Sequence, residues 1–310
     1  MRIVFMGTPD FARVSLQALV EADLRPVAVV TQPDKPKGRG YTLTPPPVKV
    51  YAEEQGIPVY QPATLKDGAF DPTLDELNPD LIVVVAYGKI LPLSVLERPP
   101  HGCINVHGSL LPAYRGAAPM QRAIMDGCAE TGVTTMYMAQ GLDTGDMLLT
   151  GKIAIEDHDN FETIHDKLAD CGADVLLHTI AAIKAGNLPR TPQNEAEATY
   201  AAKIEKADCL IDFSKDARTV HNQIRGLSPI PLSFTHTPNG KLLKVTEARV
   251  GGLPTSGFPG QVLAADNDGI TVACGTGSVT LLRVVPEGKK PMAAADFVRG
   301  RQCVVGDVLA

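Results

Sequence analysis

An amide and an imidazole two residues apart, Asn105 and His107, close an apolar run in the stretch INVHGSLLPAYRGAAP (104–119). A second stretch, GLDTGD (141–146), sets Asp143 and Asp146 around a glycine-containing turn. Each has an ordinary reading when taken alone: a turn with a satisfied histidine, and aspartates that bond their own turn backbone. Taken together they offer the parts of a reaction. A carboxylate orients an imidazole and stabilises its charged form. An amide and an imidazolium can both donate hydrogen bonds to an oxyanion as it develops. That trio suits acyl transfer without a covalent enzyme intermediate, and it leaves the identity of the acyl group open.

Other polar clusters carry less chemistry. EDHDN (156–160) has the composition of a metal site, but it lies at a helix start, where Asp159 with Glu162 reads as a capping box. No metal site is expected. His165 and His178 on the following helix read as surface or packing residues. The loop Gly7-Thr8-Pro9 lacks G-x-G-x-x-G, and Pro9 removes a donor that a phosphate cradle uses, which argues against a nicotinamide dinucleotide. DKPKGRG (34–40) holds Lys35, Lys37 and Arg39, and no acid occurs from 35 to 52. It reads either as a solvated loop or as an exposed arm, stiffened by the following PPP, that reaches a polyanion.

The trio needs elements to position it. RIVFM (2–6), VAVVT (27–31), LIVVVA (81–86) and CINV (103–106) are continuous apolar runs, as expected for parallel strands covered on both faces. DFARVSLQALVEA (10–22) carries a helical apolar stripe, with Asp10 as its expected N-cap. Strand–helix–strand repetition predicts an open parallel sheet, which binds ligands beyond the carboxyl ends of its strands. Asn105 and His107 fall at one such end. Residues 134–139 and 147–155 read as further strands, and 160–186 as one long helix. The stretch 187–200, rich in Pro, Asn and Glu, reads as an interdomain linker. A helix is expected at 216–227, followed by short strands with hairpin turns at 238–240, 266–269 and 275–277. Small antiparallel strands of this kind suggest a compact barrel of the oligonucleotide-binding type.

Length and composition agree with that division. The chain has 310 residues, enough for two domains, with 44% hydrophobic and 21% charged residues, as in globular proteins. No apolar run reaches membrane-spanning length, and the N-terminus lacks a signal pattern. The six cysteines lie far apart without a C-x-x-C pair, which suits a reducing cytoplasm. The net charge of −6 is unevenly spread: residues 1–203 hold 17 Lys or Arg against 25 Asp or Glu, and residues 204–310 hold 12 against 10. A uniform basic grip on nucleic acid is excluded; local basic elements are not.

In IVFMGTPDFA, QPDKPKGRG, INVHGSLLPAYRGAAP, GVTTM with GLDTGDML, and HNQIRGLSPIP, taken in that order, the chain resembles the bacterial methionyl-tRNA formyltransferases over nearly its whole length. The resemblance implies an α/β fold, with a Rossmann-like catalytic domain at 1–189, a linker at 190–203 and an OB-like tRNA-binding domain at 204–310. It implies formyl transfer from 10-formyltetrahydrofolate to the α-amine of methionine on initiator tRNA, by a cytoplasmic monomer. Carried over by motif, Asn105, His107 and Asp143 are the catalytic trio, and Ser109, Leu110, Leu111 and Pro112 form the folate-site loop. Arg39 matches the arginine of the tRNA-reading loop, with Lys35 and Lys37 beside it. Gly108 and Ile230 depart from the family pattern, which has Ala and Trp there. The alternatives are a related formyltetrahydrofolate enzyme acting on a nucleotide sugar, a purine precursor or water, and a non-catalytic nucleic-acid-binding protein.

Overall fold

The computed structural model describes residues 1–37, 41–252 and 257–310. The chain forms two compact units. The first comprises Met1–Gly116, Thr131–Ile153 and His165–Tyr200; the second comprises Ala117–Glu130, Ala154–Ile164 and Ala201–Ala310.

The first unit is built on a seven-stranded sheet. Its strands in chain order are β1 (Ile3–Gly7), β2 (Ala28–Val30), β3 (Val59–Tyr60), β4 (Leu81–Val85), β5 (Cys103–His107), β6 (Glu130–Tyr137) and β7 (Met147–Ala154). In space they run β7-β6-β5-β4-β1-β2-β3. Every residue of β1, β2 and β4 is buried, which is why these segments read as unbroken apolar runs. The five strands from β5 to β3 pair in parallel, as expected. The sheet is not parallel throughout: β6 pairs with β5 antiparallel, His107 opposite Thr134. The connection after β5 holds a two-residue strand, Arg115–Gly116, and a short helix, Pro119–Met125, in place of a long crossover, so the chain re-enters the sheet at the end it left.

Strand order reverses beside β1, with β2 on one side and β4 on the other, and the crevice of such a sheet lies outside the carboxyl ends there. Gly7 closes β1 at this rim. A Cβ on it would lie 2.7 Å from the Ala12 Cβ and 2.7 Å from the Phe5 ring, so only glycine lets the helix α1 (Asp10–Glu21) start so close to the sheet. Pro9, not Asp10, occupies the N-cap of α1; Asp10 sits in the first turn and pairs with Arg13 at 2.6 Å. A carboxylate in the first turn also complements the helix dipole, so the sequence signal was displaced by one residue.

The long helix α2 (Phe161–Ala185) covers the back of β5. Its Gly172 lies so close that a Cβ there would be 3.1 Å from Val106. Its cap differs from the expected one. Asn160 accepts from the Thr163 amide at 3.0 Å and Thr163 Oγ1 accepts from the Asn160 amide at 3.0 Å, while Asp159 accepts from the Glu156 amide and the Thr163 hydroxyl. The reciprocal box is thus Asn160 with Thr163, one residue later than Asp159 with Glu162. The shorter Asn and Thr side chains close it without a glutamate.

The second unit carries an antiparallel sheet: β8 (Ser233–His236), β9 (Leu242–Val250), β10 (Val262–Asp266), β11 (Gly269–Ala273), β12 (Ser278–Pro286) and β13 (Met292–Ala293). They run β8-β9-β12-β11-β10, with β13 on β12. Hairpins close at all three expected turns, with Gly240, Gly269 and Gly277 at positive φ. Helix α3 (Ala217–Gly226), capped by Asp216 on the Thr219 amide, sends Val220 and Ile224 into a core with Phe213, Leu243, Val245 and Leu281. Among the described residues no helix is long and apolar enough to cross a membrane.

Candidate active site

Residues alternate across a strand, so Asn105 and His107 share one face of β5 while Ile104 and Val106 share the other. The Asn105 side chain is half-buried and makes no hydrogen bond among the described residues. His107 is buried at 6% exposure. Its Nε2 donates to the Tyr114 carbonyl at 3.0 Å, and its Nδ1 lies 3.7 Å from the Asp143 carboxylate. Both ring nitrogens thus face oxygen. An imidazolium can donate in both directions; a neutral ring, with one N–H, only in one.

Asp143 comes from the β6–β7 loop and reaches the site with φ of 53°, a left-handed conformation that needs support in a residue other than glycine. The same carboxylate oxygen that faces His107 accepts from the Gly116 amide at 2.8 Å. Gln193 Nε2 donates to the carbonyls of Asp143 and Gly145, at 2.8 and 2.7 Å. Its Oε1 accepts from Arg115 Nε at 2.9 Å, and the Arg115 fork pairs with both oxygens of Glu195 at 2.9 and 2.8 Å. The Arg115 side chain is wholly buried, and its hydrogen bonds to Glu195 hold that carboxyl below its ordinary range. The stretch read as a linker is therefore tied along the first unit by Gln193, Glu195 and Thr199, whose hydroxyl accepts from the Tyr114 amide at 2.8 Å.

The loop Ser109–Pro112 is braced from within. Ser109 is fully buried and donates to the Ala113 carbonyl at 2.7 Å. Thr134 on β6 donates to the Ser109 carbonyl at 2.8 Å and accepts from the Leu111 amide at 3.1 Å. Leu111 is buried, and Leu110 packs over Gly132, where a Cβ would lie 2.5 Å from its methyl. The Leu111–Pro112 peptide is cis.

The arm leaves the same rim of the sheet. Tyr87, after a left-handed Ala86, accepts at its carbonyl from Thr8 at 3.1 Å and from Gln32 at 2.8 Å. Gln32 in turn accepts from Lys35 Nζ at 2.6 Å. At the arm's root Asp34 pairs with Lys49 at 2.9 Å and with Gln61 at 2.7 Å, which hold its carboxyl below the usual range, Gln61 foremost. Lys35–Lys37 and Thr42–Thr44 form a two-stranded ribbon. Arg39 lies outside the described residues. The structure therefore brings Asn105, His107 and Asp143 to one rim, with Ser109–Pro112 beside them, and roots the Lys35–Lys37 ribbon in the loops of that rim.

Sequence reasoning missed Arg115, Thr134 and Gln193. Arg115 stood in the opening motif without a role. Thr134 is visible only once β6 is known to lie antiparallel to β5. Gln193 sits in a Pro- and Asn-rich run whose periodicity signals nothing.

A family model described as "Formyl transferase" matches residues 1–180, and one described as "Formyl transferase, C-terminal domain" matches residues 203–302. The methionyl-tRNA formyltransferase of Geotalea daltonii is 49% identical over 306 residues, 99% of this chain and 97% of its own. That of Desulforamulus reducens is 49% identical over 310 residues, 100% of this chain and 98% of its own. Two solved structures share the fold at low identity. HypX from Aquifex aeolicus, in complex with tetrahydrofolic acid, matches with a TM-score of 0.64 and 19% identity over 97% of this chain and 47% of its own. WlaRD, a sugar 3N-formyl transferase, matches with a TM-score of 0.65 and 18% identity over 94% of this chain and 99% of its own. Near-half identity along the whole chain, on a sheet whose rim gathers an amide, an imidazole and a carboxylate, makes this chain a member of the methionyl-tRNA formyltransferase family.

Proposed function

We propose that this chain transfers the formyl group of 10-formyltetrahydrofolate to the α-amine of methionine on charged initiator tRNA. The observation that carries the reading is the 3.7 Å approach of Asp143 to His107 at the strand end where Asn105 presents an unspent amide. Transfer requires a neutral amine to attack the formyl carbon and donors for the charge that develops on the formyl oxygen. Asn105 supplies a donor fixed by the sheet. His107 supplies the second from its buried ring. Asp143 stabilises the imidazolium at Nδ1. The new C–N bond forms at the methionine amine, the bond to the folate nitrogen breaks, and the amine's proton passes to that nitrogen through His107 or water.

The donor-binding loop, Ser109, Leu110, Leu111 and Pro112, suits a rigid heterocycle. Its polar side chain is spent internally, so it offers the donor a fixed backbone edge and apolar surface rather than a mobile side chain. Residues 1–189 carry the chemistry, 190–203 connect, and 204–310 bind tRNA together with Lys35, Lys37 and Arg39. The enzyme acts as a monomer in the cytoplasm.

The test is a formylation assay with the formyl donor and either charged initiator tRNA or free methionine. Rapid product on the charged tRNA and negligible product on the free amino acid is the expected result. Formylation of a sugar amine in preference to the tRNA would overturn the reading.

A further inference from the structure

We propose that Gln193 is a positioning residue for the reaction, a latch that holds Asp143 in its left-handed conformation and so keeps the carboxylate against His107. The proposal rests on the catalytic reading of Asn105, His107 and Asp143 given above. The geometry assigns every hydrogen-bonding group of the Gln193 amide. Both of its N–H bonds go to the Asp143 loop, on the carbonyls of Asp143 and Gly145, and its oxygen takes the Nε–H of Arg115. An amide is the one side chain of this length that both gives two bonds and takes one.

The loop it holds cannot hold itself. Asp143 stands at φ 53°, a conformation that costs a residue with a Cβ and persists only where neighbours over-determine it. On the far side Gly145 lies so close to β6 that a Cβ would fall 1.7 Å from the Tyr137 carbonyl oxygen. The loop is therefore pressed between β6 and Gln193. Arg115 and Gly116, adjacent in sequence, grip Asp143 at two points: the Gly116 amide on its carboxylate, and Arg115 through Gln193 on its backbone. The Arg115 side chain is wholly buried and has its fork fixed by Glu195, so the amide rests against a rigid base. Loss of the latch lets the carboxylate drift, and displacement of a catalytic group by about 1 Å costs on the order of a hundredfold in rate.

The test uses Gln193→Glu and Gln193→Ala in the full chain, each alone and combined with Asp143→Asn. Glutamate keeps the length and the oxygen that faces Arg115 but has no N–H for the two carbonyls. Expected are a kcat lowered about 10- to 100-fold, KM for the formyl donor and charged tRNA changed less than about threefold, and exchange of the Gly116 amide hydrogen accelerated about tenfold. In the Asp143→Asn background the Gln193 substitutions should cost nothing further, because they act through the group already removed. Multiplicative losses in the double variants would overturn the latch, as would unchanged kcat in Gln193→Glu. Faster Gly116 exchange with an Asp143→Asn variant that keeps full kcat would instead sink the catalytic role of Asp143 and leave a purely structural latch.

Discussion

Replacing Asp143 with Asn removes one charge and almost nothing else. The amide keeps an oxygen for the Gly116 N–H, bonded at 2.8 Å, so the loop retains its anchor. What goes is the carboxylate 3.7 Å from His107 Nδ1, in a pair whose side chains are 7% and 13% exposed. At an effective dielectric constant of about 20, charges at that separation attract by roughly 4.5 kcal/mol. Partial access of water to the rim and the residual dipole of the amide reduce this. A transition state that places positive charge on His107 should thus lose about 3–4 kcal/mol, or between a hundredfold and a thousandfold in kcat. The assay is single-turnover formylation of charged initiator tRNA at saturating donor, run beside a thermal melt. A variant with unchanged melting and a kcat within fivefold of the parent would refute the electrostatic role.

Asn105→Ala should lower kcat by about 3–4 kcal/mol of transition-state stabilisation while leaving donor binding intact, measured by steady-state kinetics and direct titration; near-normal turnover removes Asn105 from the oxyanion role. Arg39→Ala should weaken use of charged tRNA and narrow the gap in kcat/KM between initiator and elongator, with donor affinity unchanged; equal kinetics with both tRNAs in mutant and parent would make the arm a solvated loop. His221, buried in the second unit, has its pKa pushed down to about 4, first by burial and then by Arg225 and Arg218. The unfolded chain takes up a proton near pH 6.5 and the folded one only near 4, so the stability due to the neutral ring is complete above 6.5 and declines as pH falls toward 4. Between pH 7 and 4.5 that amounts to about 2–3 kcal/mol. His221→Gln should flatten the fall in urea midpoint across this window, and an unchanged slope would refute it.

That Asn105, His107 and Asp143 meet at one rim was legible because they stand in two short motifs at strand ends, and a strand end is where an α/β sheet exposes side chains. The strands β1, β4 and β5 were legible because burial on both faces leaves an uninterrupted apolar signature. The antiparallel entry of β6 was not, since the pattern of TTMYMA carries no strand direction and only pairing with β5 fixes it. Nor was Gln193, whose role depends on a partner 50 residues away in sequence and on carbonyl oxygens that every residue possesses. The caps of α1 and α2 were each misplaced by one residue, because neighbouring Asp, Asn and Pro compete for the same position and the local backbone decides among them.

The latch also bears on how the molecule can be cut. A fragment that stops at residue 189 contains the whole of β1 to β7, all three candidate catalytic side chains and the loop Ser109–Pro112 proposed to hold the donor. It omits Gln193 and Glu195, and with them the counterpart of a wholly buried guanidinium. Such a fragment would leave the Arg115 guanidinium next to Gly116 without its carboxylate partner and would remove the two Gln193 bonds to the backbone of the Asp143 loop. Composition marks 190–203 as a hinge between modules; mechanically, its first half is part of the rim that gathers His107 and Asp143. Minimal versions of this enzyme, whether made by truncation or by domain exchange, should keep the chain through Tyr200, where Thr199 still accepts from the Tyr114 amide and the rim closes on itself.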